Sequence, residues 1–108
     1  MAITAKELAA GQLPAARGDL YTVPGATITY IKSITLHNTG AAANPCTITK
    51  EPTGAGTEYI IIYVELGPDE TFLFNEPTVL DATDVLRGDD GGTGAEVDYT
   101  VSLSLIHI

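Results

Sequence analysis

Residues 20–38 read Leu-Tyr-Thr-Val-Pro-Gly-Ala-Thr-Ile-Thr-Tyr-Ile-Lys-Ser-Ile-Thr-Leu-His-Asn. Two β-rich runs flank Pro24-Gly25, a residue pair that marks a turn. The first run, residues 20–24, is short. The second, residues 27–38, is long and rich in β-branched side chains, which suit a pleated surface. Ile28, Tyr30, Ile34 and Leu36 are apolar, whereas Thr29, Ser33, Thr35 and His37 are polar. A period of two sends these sets to opposite faces. Ile31 and Lys32 break the alternation, and a β-bulge there restores it.

The rest of the chain repeats this recipe. Residues 46–50 predict a third strand and residues 52–56 a turn. Residues 58–66, Glu-Tyr-Ile-Ile-Ile-Tyr-Val-Glu-Leu, are apolar on both faces. Such a strand is either central or has one face against another chain. Gly67-Pro68-Asp69-Glu70 forms a turn. Residues 71–75 follow with Phe72 and Phe74 on one side, then two short strands, 78–80 and 84–87, about a turn through Asp81 and Thr83. Residues 88–94 are a glycine-aspartate loop. Residues 96–105 alternate most cleanly: Val97, Tyr99, Val101, Leu103 and Leu105 face inward, and Asp98, Thr100, Ser102 and Ser104 face outward. The expected fold is all-β: a single antiparallel β-sandwich or jelly roll of about eight strands over residues 20–108. No βαβ alternation predicts a parallel sheet.

Residues 1–19 differ. Thr4 and Glu7 have the spacing of a capping box, so residues 5–10 predict a possible short helix before Gly11. Pro14 and Gly18 then break the chain. A helix this short is marginal alone, and the segment reads as an N-terminal arm that needs another surface to order it. Thr4, Glu7, Leu8 and Leu13 are its candidate contact residues. On the body, Tyr59, Ile61 and Tyr63 are the candidate interface side chains.

Composition narrows the function classes. The chain has 108 residues, enough for one small domain. It carries 14 acidic against 5 basic side chains, a net charge of −9. That field repels phosphate backbones and argues against nucleic-acid binding. The cations Lys6, Arg17, Lys32, Lys50 and Arg87 are scattered. The single Cys46 permits no internal disulfide. The first residues lack the basic start and apolar run of an export signal. The longest apolar run, residues 59–64, is far short of the ~20 needed to span a bilayer as a helix.

Little in the sequence suggests chemistry. His37 sits near a strand end on the polar side and His107 beside the last residue; neither has a nucleophile close by in sequence. Cys46 reads as a small buried thiol, and these three residues lack zinc-ligand spacing. Acidic residues recur in pairs, and Asp84, Asp89, Asp90 and Asp98 form the best calcium candidate, without EF-hand spacing. The 88–94 loop precedes a strand and carries two aspartates, which disfavours a phosphate cradle. Arg17-Gly18-Asp19 matches an integrin-binding tripeptide, a match too short to carry weight. The expectation is a protein that is not an enzyme and needs no cofactor or metal.

Two stretches resemble a group of small virion structural proteins of tailed bacteriophages. The first is Leu-Tyr-Thr-Val-Pro at 20–24 with Ile-Lys-Ser-Ile-Thr-Leu-His-Asn-Thr-Gly at 31–40. The second is Leu-Gly-Pro-Asp-Glu-Thr at 66–71, Pro-Thr-Val-Leu at 77–80 and Asp-Val-Leu-Arg-Gly at 84–88. Asp69 stands where the pattern usually has glycine. The resemblance implies a β-sandwich whose motif residues build turns: Pro24 and Pro68 preset φ, Gly25 and Gly40 permit positive φ, and Asn38 and Asp69 bond local backbone. It also implies a virion location after assembly in the host cytoplasm. The favoured role is a capsid decoration or cement protein, a homotrimer bound to the major capsid protein lattice that stabilises the head. A neck or tail position is the alternative. A carbohydrate-binding β-sandwich module is the alternative of another class. It would stack sugars on exposed aromatics, but the chain has no Trp, and only Tyr21 reads as an exposed platform.

Overall fold

The computed structural model describes residues 2–52, 56–92, 94 and 96–107, with side chains described between residues 10 and 104. Nine strands are present among the described residues: β1 (Ala2–Gln12), β2 (Gly18–Thr22), β3 (Thr27–Asn38), β4 (Asn44–Glu51), β5 (Tyr59–Leu66), β6 (Thr71–Phe74), β7 (Thr78–Leu80), β8 (Val85–Asp89) and β9 (Val97–His107). They form two antiparallel sheets packed as a sandwich. One has the order β1-β9-β3-β6, with β7 also pairing to β3; the other has the order β2-β8-β4-β5. Strands β1, β2, β3 and β4 thus pair with β9, β8, β6/β7 and β5, alternating between sheets. An antiparallel ribbon wound in this way is a jelly roll.

Eight of the strands lie where the alternation places them. The ninth, β1, replaces the possible helix of the N-terminal arm. Ala2 to Gln12 pairs with β9 from His107 back to Asp98, with a register shift between Glu7 and Ala9. The capping signal at Thr4 and Glu7 offers little local energy, while a long neighbouring strand satisfies backbone groups along the whole segment.

The expected bulge is present in β3, where the register against β9 shifts between Ile31 and Ser33. It changes which residues face inward. Thr27, Thr29 and Ile31 are buried before it, and Ile34, Leu36 and Asn38 after it. Ile28 and Tyr30 therefore lie on the opposite face from Ile34 and Leu36, against the expectation that all four share one side.

Between the sheets lie Leu13, Val23, Ile31, Ile34, Leu36, Cys46, Ile48, Ile62, Leu66, Leu80, Leu86, Val97, Val101 and Leu103. Phe72, Phe74 and Tyr99 are half-buried against this core. Gly88 faces it from β8. A Cβ there would lie 2.9 Å from the Thr47 carbonyl oxygen and 2.8 Å from Ile48 Cδ1, so β8 approaches β4 closely only because the side chain is missing.

The turns depart from expectation in detail. After Pro24, positive φ falls on Ala26 (55°) and not on Gly25. Gly40 also lacks positive φ; a Cβ there would crowd Glu96, with its Cδ only 2.8 Å away. In the 67–70 turn, the Glu70 N–H donates to the Gly67 carbonyl at 3.1 Å. Asp69 takes φ of 61°, as the third position of a type II turn with Pro68 second requires.

Candidate functional site

The surface is best read from its sheet edges. An edge strand offers unpaired N–H and C=O groups, and proteins blunt such edges with charges, prolines, bulges or short strands. Among the described residues, β1, β2, β5 and the β6/β7 pair are the edges. Strand β1 carries Lys6 and Glu7 and shifts register at Leu8. Strand β2 has five residues, includes Asp19 and shifts register between Asp19 and Tyr21. The far edge of the β1 sheet is split into β6, of four residues, and β7, of three, with Pro77 between them.

Strand β5 is different. Its eight residues are Tyr-Ile-Ile-Ile-Tyr-Val-Glu-Leu, and Glu65 is the one charged side chain. Tyr59 is 57% exposed, Ile60 65% and Tyr63 70%. Pairing explains the faces. Tyr63 stands opposite Thr47 and Ile60 opposite Thr49, on the outward face of the sheet, while Ile62 opposite Ile48 faces the core. The register shift between Ile48 and Thr49 leaves Ile61 as an extra residue of β5. This bulge corrects the expected face: Ile60 points to solvent, and Ile61 is half-buried against the core. Two large hydrophobics on the other sheet, Leu73 and Val79, are also exposed.

Beside Ile60 and Tyr63 the same outward face carries an ion-pair network. Arg17 Nε pairs with Asp89 Oδ2, and Arg17 Nη1 lies 3.2 Å from Glu58 Oε1. Arg87 lies among Asp19 (2.9 Å), Glu51 (3.6 Å) and Glu58 (3.9 Å). Its Nε is close to Asp19 but out of line for a hydrogen bond. Thr49 Oγ1 donates to Glu58 at 2.7 Å. That bond, together with the two guanidinium groups, holds the Glu58 carboxyl below its ordinary pKa. The network ties Arg17 and Asp19 to β4, to β8 and to Glu58 just before β5.

At one end of the sandwich, Asn38 joins two connections. Its Nδ2 donates to the Ala42 and Leu66 carbonyls at 2.9 Å each. Its Oδ1 accepts from the Gly40 N–H at 2.9 Å and Asn44 Nδ2 at 3.1 Å. The residue is fully buried. Its role is to close the β3–β4 loop onto the β5–β6 turn.

The other sequence candidates disperse. Leu13 lies inside the core, and its N–H donates to the Val97 carbonyl at 2.8 Å. Thr4, Glu7 and Leu8 belong to β1 by backbone, and their side chains fall outside the described set. Asp84 and Asp90 sit at opposite ends of β8, so the four aspartates do not converge. Asp84 Oδ2 accepts from the Asp81 N–H, Asp89 pairs with Arg17, Asp90 Oδ1 caps the N–H groups of Gly92 and Gly94, and Asp98 accepts from Gln12. Among the described residues, no group of three or more His, Cys, Asp or Glu is placed to hold a metal ion. Tyr21 is half-buried, with its hydroxyl 3.2 Å from Thr29 Oγ1, and so is no open platform. Cys46 is a free, buried thiol, and burial pushes its pKa up to about 11.

No family model and no curated protein matches the chain. Solved structures do. A structure of Bacillus endospore appendages, described as a novel family of disulfide-linked pili, aligns over 98% of this chain and 88% of its own, at 14% identity with a TM-score of 0.63. The TNF homologue Eiger from S. frugiperda aligns over 95% of this chain and 94% of its own, at 10% identity with a TM-score of 0.40. The first likeness establishes the class at the level of fold: a small, nine-stranded, all-β sandwich.

Proposed function

We propose that this chain is a structural subunit that acts by association, with no chemical step of its own. The observation that carries this reading is the apolar β5 edge, with Tyr59, Ile60 and Tyr63 open to solvent on an otherwise acidic body. A long apolar edge is a liability in a solitary protein and an asset in a subunit. The best specific reading is a virion protein of a tailed bacteriophage, decorating the capsid lattice in multiple copies. It is supported by the motifs in residues 20–88, which the fold uses as turns and strand ends. Modest contacts suffice when several linked copies bind together. Strand β1, at the sheet edge, is the second element available for docking.

The pilus subunit favours a second reading, a filament or appendage subunit, because its fold covers nearly the whole chain. In either setting the assembly forms without disulfides: the sole cysteine is buried. Quantitative mass spectrometry on purified particles separates the readings. Hundreds of copies per particle support decoration, six or twelve point to a neck ring, and co-purification with filaments points to an appendage. Absence from every particle and filament fraction overturns the proposal.

A further inference from the structure

We infer that a second copy of this chain covers the β5 edge, strand against strand, antiparallel about a two-fold axis near Tyr63. This rests on the self-association proposed above and names the surface that performs it.

Three observations select this occupant. The first is the contrast among edges: β1 and β2 carry charges as well as a register shift, and β6/β7 is short and interrupted, whereas β5, although it too shifts register at Ile61, runs from Tyr59 to Val64 without a charge. The second is electrostatic. Two copies at −9 repel each other, so they can meet closely only where little of that charge lies. The β5 edge is such a place, and a strongly basic partner would gain nothing from it. The third is self-complementarity. An isologous pair centred on Tyr63 sets that side chain against Tyr63 of the second copy and Ile62 against Val64, with the bulged Ile61 beyond them. The inner pairs are aromatic or aliphatic, the kind that stabilise cross-strand contacts. Ile60 and Tyr59 flank them.

The area is modest. Three half- to two-thirds-exposed side chains bring roughly 300–400 Å² per copy, to which the strand backbone adds. Two copies together approach the roughly 1,000 Å² floor of a specific interface. The pairing would join two four-stranded sheets into one of eight strands, leaving β1 of each copy free for other contacts.

The test uses the full chain and hydrogen exchange at low and high concentration, with Tyr63→Lys and Leu73→Lys as variants. Leu73 is also exposed, but on the other sheet, and circular dichroism confirms that both variants fold. Protection is expected to rise with concentration at β5 amides, Tyr63→Lys to weaken association at least tenfold, and Leu73→Lys to leave it unchanged. An oligomer indifferent to Tyr63→Lys, or one whose added protection falls on β1 while β5 exchanges freely, overturns the inference and leaves self-association standing. A wild-type chain that stays monomeric throughout overturns both, including when a strand of some other protein proves to occupy the edge.

Discussion

Leu13 shows how a single residue changes the reading of a segment. By sequence it belonged to an arm between Gly11 and Pro14; in the fold it is fully buried beside Val97. Leu13→Ala is expected to cost about 2–5 kcal/mol, measured by chemical denaturation, and a loss near zero would return it to the arm. Asp69 makes the opposite point. Its positive φ costs an L-residue roughly 1–2 kcal/mol, and glycine loses roughly 0.5–1 kcal/mol in backbone entropy. Asp69→Gly should therefore stabilise the chain slightly, by up to about 1 kcal/mol, visible as a raised denaturation midpoint. The departure from glycine was legible in the sequence because Pro68 named the turn. Ala26 was not, since nothing local shows that strain falls one residue past Gly25. At Cys46, burial raises the thiol from 9.0 to about 11. Because the folded value is the higher one, stability is retained below pH 9 and declines as pH climbs towards 11. Ellman's reagent should label the thiol only as fast as the chain unfolds.

At the scale of the element, strands with one buried face were legible and those shaped by neighbours were less so. The polar–apolar rhythm of β9 and the interrupted rhythm of β3 announce two strands and a bulge. The face change at the bulge is not legible: only the pairing with β9 and the burial of Thr27, Thr29 and Ile31 show that Ile28 and Tyr30 are turned out. In β5 every residue from Tyr59 to Val64 is apolar, so the sequence holds no mark for the extra residue at Ile61. Strand β1 was misread because its capping signal is local while its partner lies at the other end of the chain. The charged face makes a further prediction. Glu58 titrates below its ordinary value, chiefly through its bond from Thr49, so it contributes stability at neutral pH that fades as pH falls below about 4.5. Melting temperature plotted against pH should fall less steeply between about pH 5 and 3 for Glu58→Gln than for the wild type. Parallel curves would show that the network does not hold the fold.

For the molecule as a whole, a chain of 108 residues builds two sheets and a shared core, with turns supplied by the motifs and one long apolar edge guarded only by a bulge and Glu65. The sandwich class was readable from strand spacing alone; the winding into a jelly roll was not, because strand order depends on contacts distant in sequence. Of the candidate contact residues, Tyr59 and Tyr63 stand exposed, Ile60 is exposed in place of Ile61, and Leu13 lies in the core. Sedimentation velocity of the purified full chain, from micromolar to millimolar concentration, tests the central claim most directly. A reversible, concentration-dependent rise in mass, unaffected by reducing agent, is the predicted result; a single species of 11.3 kDa over the whole range would contradict it.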